Sequence, residues 1–155
     1  MKKSMSYMIS TLLTVTIYAS KADAQQEIFV PQNGDTAYMV VFNLDGNILT
    51  AHPLQKYNSS DKCWNDLDRR AMPRIRKMVE SKRSDRSWFL NDYSFIERAT
   101  NKYGTEKWQV AFIVCGPDKK SMNSYSKILK ETGINLERAV DVASSQVTAR
   151  GFKTD

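Results

Sequence analysis

Apolar and polar residues alternate along TAYMVVFNLDGNILTAHP, Thr36 to Pro53, on both sides of the pair Asp45-Gly46. Two β-rich runs flanking Asp-Gly predict a hairpin, because a type I′ turn needs positive φ at both central residues. A two-residue loop sets Phe42 opposite Leu49, Val40 opposite Ala51 and Leu44 opposite Asn47. Tyr38, Val40, Phe42, Leu44, Leu49 and Ala51 then line one face, expected to be the core side. Met39, Val41, Asn43, Ile48, Thr50 and His52 line a mixed face, expected to be partly covered.

The period changes after the polar connector LQKYNSS. At about 100° per residue, Trp64, Leu67, Ala71, Ile75 and Met78 share one arc, which predicts a helix over 61–82. Ser60 or Asp61 is placed to cap it by accepting a bond from a free first-turn N–H. Pro73 predicts a kink, since proline removes a backbone donor and crowds the preceding turn. Arg69, Arg70, Arg74 and Lys77 gather away from the apolar stripe, with Arg76 on another flank. An apolar stripe for a sheet and charges for water is the pattern of an amphipathic surface helix.

From Ser84 to Gly104 the chain is aromatic, with Trp88, Phe89, Tyr93, Phe95 and Tyr103. Asn91 is placed to cap a short helix carrying Phe95, Ile96, Ala99 and Tyr103; an irregular packed loop is the competing reading. KWQVAFIVCGP predicts a strand over 107–115, β-branched and apolar, ended by Gly116-Pro117. One side of it holds Trp108, Val110, Phe112 and Val114, the other Gln109, Ala111, Ile113 and Cys115. Two helices follow. Ser121 is the expected cap of the first, with Met122, Tyr125, Ile128 and Leu129 on one side and Gly133 as the stop. Asn135 caps the second, with Leu136, Ala139, Val140, Ala143 and Val147 inward and Gly151 as the stop.

The fold expected is therefore α+β. A small antiparallel sheet, hairpin 37–52 plus strand 107–115, is packed on one face by a kinked helix 61–82 and the C-terminal helices. A disulfide between Cys63 and Cys115 is expected to tie helix to strand.

The first segment, MKKSMSYMISTLLTVTIYASKADA, has a positive start, a short apolar run and the small-x-small spacing Ala22-Asp23-Ala24. It reads as a signal peptide over 1–24, cleaved before Gln25, leaving one exported domain over 25–155 in the periplasm or outside the cell. Its apolar run is too short for a comfortable membrane span, so no transmembrane span is expected after cleavage. Cleavage removes Lys2, Lys3, Lys21 and Asp23, and the net charge falls from +6 to +4. Cys63 and Cys115 are the only cysteines, and in an oxidising compartment they have one intramolecular pairing.

Little in the sequence points to chemistry. With two cysteines and one histidine, His52, a familiar zinc ligand set is not assembled. There is no G-x-S-x-G, no H-E-x-x-H and no phosphate-cradling glycine loop, and LDGN lacks the oxygen ligands of a calcium loop. Asp66 and Asp68 are two apart on a helix, so their carboxylates diverge. The reading is no enzyme, no cofactor, no metal and no catalytic residues; a small hydrolase using His52 or a carboxylate is the weaker alternative.

Charge is unevenly placed. Between Arg69 and Arg86 lie Arg69, Arg70, Arg74, Arg76, Lys77, Lys82, Arg83 and Arg86 against Glu80 and Asp85, a local +6. Such asymmetry can steer an anionic partner. Arg69, Arg70, Arg74, Lys77 and Trp88 are the expected partner-binding residues, Trp88 supplying stacking or apolar contact. The function expected is a small exported non-catalytic binding or accessory protein for a macromolecular partner, foremost a protein. Nucleic acid or an anionic envelope polymer (lipid or polysaccharide) is the alternative partner.

Overall fold

The computed structural model describes residues 27–83, 85–118 and 124–154. The expected signal segment, and the cap and apolar position expected at Ser121 and Met122, lie outside the described residues. The fold is α+β, built on one five-stranded antiparallel sheet. Its strands are β1 (Thr36–Asn43), β2 (Ile48–Lys56), β3 (Ser87–Asn91), β4 (Ser94–Thr100) and β5 (Glu106–Gly116), in spatial order β2-β1-β5-β4-β3.

The most apolar strand is the central one. Trp108, Val110, Phe112 and Val114 of β5 join Tyr38, Val40 and Phe42 of β1 on one side of the sheet. Helices α3 (Tyr125–Thr132) and α4 (Leu136–Ala149) cover this side with Ile128, Ala139, Ala143 and Val147. Ala139, Ala143 and Val147 are fully buried. Their spacing of four brings a line of small side chains against the sheet. Ala111, Ile113 and Cys115 of β5 face the other way, toward helix α1 (Ser60–Asp66), a π-helical turn (Leu67–Ala71) and helix α2 (Met72–Ser81). Helices thus cover both faces, not one. That is why β5 reads as a nearly unbroken apolar run.

Cys63 and Cys115 form the expected disulfide, with Cα atoms 6.2 Å apart and both residues fully buried. It fixes the start of the helix to the end of the central strand. Gly34 packs beside it, where a Cβ would lie 2.1 Å from the carbonyl carbon of Gly116, so only glycine fits.

The helix passes Pro73 by a different device from a simple kink. The N–H of Met72 donates to the carbonyl of Leu67, five residues back, and Pro73 then starts a fresh helical turn. One extra residue is inserted, so the buried positions run Cys63, Leu67, Met72 and Val79. Ala71 and Ile75 are partly buried, whereas Met78, expected on the stripe, is 44% exposed.

Residues 85–104 are neither helix nor loop for most of their length. They supply the β3–β4 hairpin, in which Trp88 pairs with Ile96 and Phe89 with Phe95. Trp88 and Ile96 enter the core under α3 and α4, while Phe89 and Phe95 pack toward α2. Because both faces are apolar, the two-residue period is masked in the sequence. Asn91 does cap, but it caps a turn: its Oδ1 accepts from the Tyr93 N–H at 2.9 Å and the Ser94 hydroxyl at 2.8 Å. Tyr103, expected on the buried side of that helix, is 78% exposed.

The first hairpin holds its expected register through Val40↔Ala51, but the loop is longer by one residue. The Asn43 N–H donates to the Asn47 carbonyl across Leu44-Asp45-Gly46, with Gly46 at φ 83°. Phe42 then pairs with Ile48, and Leu49 is bulged out, half exposed instead of in the core. A second register shift leaves Leu54 outside the pairing, and a third leaves Leu90 outside it in β3. Both edge strands are therefore bulged, and β2 also carries Pro53, features that blunt an edge against pairing with another chain.

At the C-terminus, Ser124 caps α3 and Tyr125 is half exposed, so the inward side of α3 is Ile128, Leu129 and the fully buried Thr132. Gly133 stops it at φ 78°, with the Ile134 N–H bonded to the Leu129 carbonyl at 3.0 Å. Segment 28–30 lies against this stop: Val30 N–H donates to Gly133 O, and Asn135 N–H to Ile28 O. A Cβ on Gly133 would sit 1.8 Å from the Val30 carbonyl oxygen. Asn135 and Gly151 cap and stop α4 as expected.

Replacing both cysteines by alanine is expected to cost about 4 kcal/mol of stability, from the lost constraint on the unfolded chain; urea unfolding with and without reductant checks it. Gly133→Ala is expected to cost at least about 2 kcal/mol, from positive φ and the displaced segment 28–30. Its signature is a lowered urea midpoint with an unchanged slope.

Candidate functional site

The sequence-predicted cations lie on the helix that the disulfide anchors. Arg69, Arg70, Arg74 and Lys77 are all exposed, and spacings of four and three put Arg70, Arg74 and Lys77 along one outward side. The inserted π residue contributes to this: it turns Met72 and Val79 inward and leaves Pro73, Arg74 and Lys77 facing water.

The local charge of +6 is not all available. Arg70 Nε meets Asp66 Oδ1 at 3.3 Å, Arg83 pairs with Asp85 at 3.1 Å, and Arg86 pairs with Glu106 at 3.0 Å. Lys82 pairs with Glu97, and the Arg76 guanidinium lies over the Phe89 ring at 4.5 Å. Arg69, Arg74 and Lys77 have no ion pair among the described residues. Arg70 stays accessible, its side chain being 77% exposed, and a surface pair of this kind is worth about 0–1 kcal/mol, so it competes weakly with an outside anion.

Trp88 does not join them. It is 8% exposed and lies on the far side of the sheet, its indole N–H donating to Gln146 Oε1 at 2.8 Å and its ring covered by Arg150 at 3.9 Å. Phe89, the other aromatic expected to assist, lies beneath Arg76. The basic face is therefore cationic without an aromatic platform; Met78 is the large apolar side chain exposed on the same helix.

Two tyrosines clamp the π turn from outside the helix. Tyr57 donates to Asp66 Oδ2 at 2.6 Å, and Tyr93 donates to Asp68 Oδ1 at 2.8 Å. The two carboxylates do diverge, each to its own tyrosine. Sequence reasoning assigned these residues no role, because nothing in the local pattern pairs a tyrosine with a carboxylate 9 or 25 positions away. Burial, and then the bond to its carboxylate, pushes each phenol up to about 12. Tyr38, bonded to the Pro117 carbonyl at 2.6 Å, is pushed up to about 12 by burial, then by Asp118 and Asp35.

His52 is exposed, its Nδ1 2.9 Å from the Thr50 hydroxyl. Among the described residues, no group of three or more His, Cys, Asp and Glu is placed to hold a metal ion, and no helix is long and apolar enough to cross a membrane. Compared with known protein families, curated proteins and solved structures, the chain finds no significant match in any.

The tyrosine clamps give the fold an alkaline limit. A phenol held protonated by the fold adds stability that is fully present below pH 10 and is lost as pH rises from 10 to about 12. Urea midpoints are expected to fall across that interval, and to fall less in a Tyr57→Phe, Tyr93→Phe variant. Ultraviolet absorbance of tyrosinate, followed in parallel, reports the ionisation itself.

Proposed function

We propose that this is a small exported binding protein that captures a partner protein by an acidic patch, through the outward face of the anchored basic helix. The observation that carries the proposal is the set Arg69, Arg74 and Lys77: exposed cations without ion pairs among the described residues, on a helix bonded covalently to the central strand. A rigid presenting element loses little conformational entropy on association, so more of the charge attraction appears as affinity. Arginine and methionine are enriched where protein surfaces meet, and Met78 lies on the same helix as the cations.

The same face argues against the other anionic partners. Single-stranded nucleic acid is held by stacking as well as charge, and the two aromatics expected to assist, Trp88 and Phe89, are withdrawn from this face. A membrane-surface helix inserts its apolar side, and here that side is occupied by the sheet. Export is supported by the N-terminal signal pattern and by the disulfide, a bond that persists in oxidising compartments.

The test is a triple variant, Arg69→Ala, Arg74→Ala, Lys77→Ala, in crosslinking within the native envelope. Partner recovery is expected to fall about tenfold or more, with the urea midpoint unchanged. Undiminished recovery would remove this face from the interface. If instead the protein binds DNA with affinity that drops steeply between about 50 and 200 mM salt, the partner is nucleic acid.

A further inference from the structure

A second site lies at the end of the sheet beside the π turn, and it has the opposite character. An open cleft of about 270 Å³ separates Glu27, Ile28 and Phe29 from the β3–β4 turn at Asn91, Asp92 and Tyr93. Its depth is aromatic. Phe29 and Tyr93 meet edge to face at 5.7 Å, and Trp64 packs behind both, 6.0 Å from Phe29 and 5.1 Å from Tyr93. Its rim carries two exposed carboxylates, Glu27 and Asp92, one on each wall, and neither has an ion pair among the described residues.

The walls are held from behind. Asn91 ties the turn through Tyr93 and Ser94, the Ile113 N–H donates to the Tyr93 carbonyl at 2.9 Å, and the Tyr93 hydroxyl is fixed on Asp68. On the other wall, Ile28 and Val30 are bonded to Asn135 and Gly133. The cleft is thus preformed. Its volume lies just below the range of pockets that enclose drug-sized ligands, and suits a single side chain.

We propose that this cleft receives an arginine side chain of a partner polypeptide. The apolar stem lies along Phe29 and Tyr93, and the guanidinium sits between the Glu27 and Asp92 carboxylates. Aromatic rings attract a cation placed near them, and carboxylates bind guanidinium in a matching planar geometry. On an exported chain of net charge +4, a concave site lined by two carboxylates and no cation is selective for such a group. The site is independent of Arg69, Arg74 and Lys77, and either can fail without the other.

The experiment uses isotopically labelled purified protein and two peptides identical except for arginine against citrulline, its neutral isostere. The arginine peptide is expected to shift the amide signals of Phe29, Asp92 and Tyr93 and the indole signal of Trp64. The citrulline peptide is expected to bind at least about fivefold more weakly, and a Glu27→Gln, Asp92→Asn variant about tenfold more weakly. The triple variant of the basic helix is expected to bind the arginine peptide unchanged. Equal binding of both peptides, shifts elsewhere, or an unaffected double variant overturns the proposal. Spermidine competing as well as the arginine peptide would make the ligand a free polyamine and overturn the assignment to a polypeptide. Self-association that disappears in the double variant would place a second copy of this chain in the cleft, and overturns it equally.

Discussion

The bond between Cys63 and Cys115 is the constraint on which the rest of the architecture depends. It is not placed at the periphery: it joins the first turn of the long helix to the end of the strand that every other layer packs against. One sulfur pair therefore fixes the angle and height of a helix whose opposite face is charged. Aromatic packing continues the same attachment, since Trp64, next to Cys63, closes on Phe29 and Tyr93 and donates its indole N–H to the Gln32 carbonyl. Covalent, aromatic and hydrogen-bonded contacts converge on one corner of the molecule.

That corner also organises the two proposed binding surfaces. The π turn lies between them, with Asp68 reaching toward the cleft through Tyr93 and Asp66 reaching toward Tyr57 and Arg70 on the other flank. A wide turn inside an α-helix is costly unless its neighbours hold it, and two tyrosine clamps on adjoining carboxylates do so. The arrangement separates charge by direction. Cations project from the helix, carboxylates rim the cleft, Lys82 at the helix end pairs with Glu97 of β4, and Arg86 and Arg98 share Glu106 at the start of β5.

Much of this frame was legible in the sequence, and the parts that were not share a physical cause. Helix caps at Asn135 and stops at Gly133 and Gly151 were readable because they depend on neighbours in the chain. The disulfide was readable because two cysteines have one pairing. The β3–β4 hairpin was not, because a strand buried on both faces shows no alternation, and Asn91 offers the same acceptor to a turn as to a helix. Leu49 was misplaced for a related reason: register past a bulge depends on the loop geometry, and Asp45-Gly46 fits a loop of two residues or of three. Of the candidate site, Arg69, Arg70, Arg74 and Lys77 were found from periodicity alone. The burial of Trp88 and the cleft at Phe29 and Tyr93 required knowledge of which distant segments meet.

The extra residue in the π turn acts as a vernier between the inside and the outside of the molecule. Straightening that turn into an unbroken 3.6-fold winding at the present chain length would turn everything downstream by roughly 100°. The place now held by Met72 would pass to Ala71, and that of Val79 to Met78, while Met72 and Val79 would rotate toward water. The direction in which Arg74 and Lys77 point is thus set by the width of a single turn rather than by the charged residues themselves.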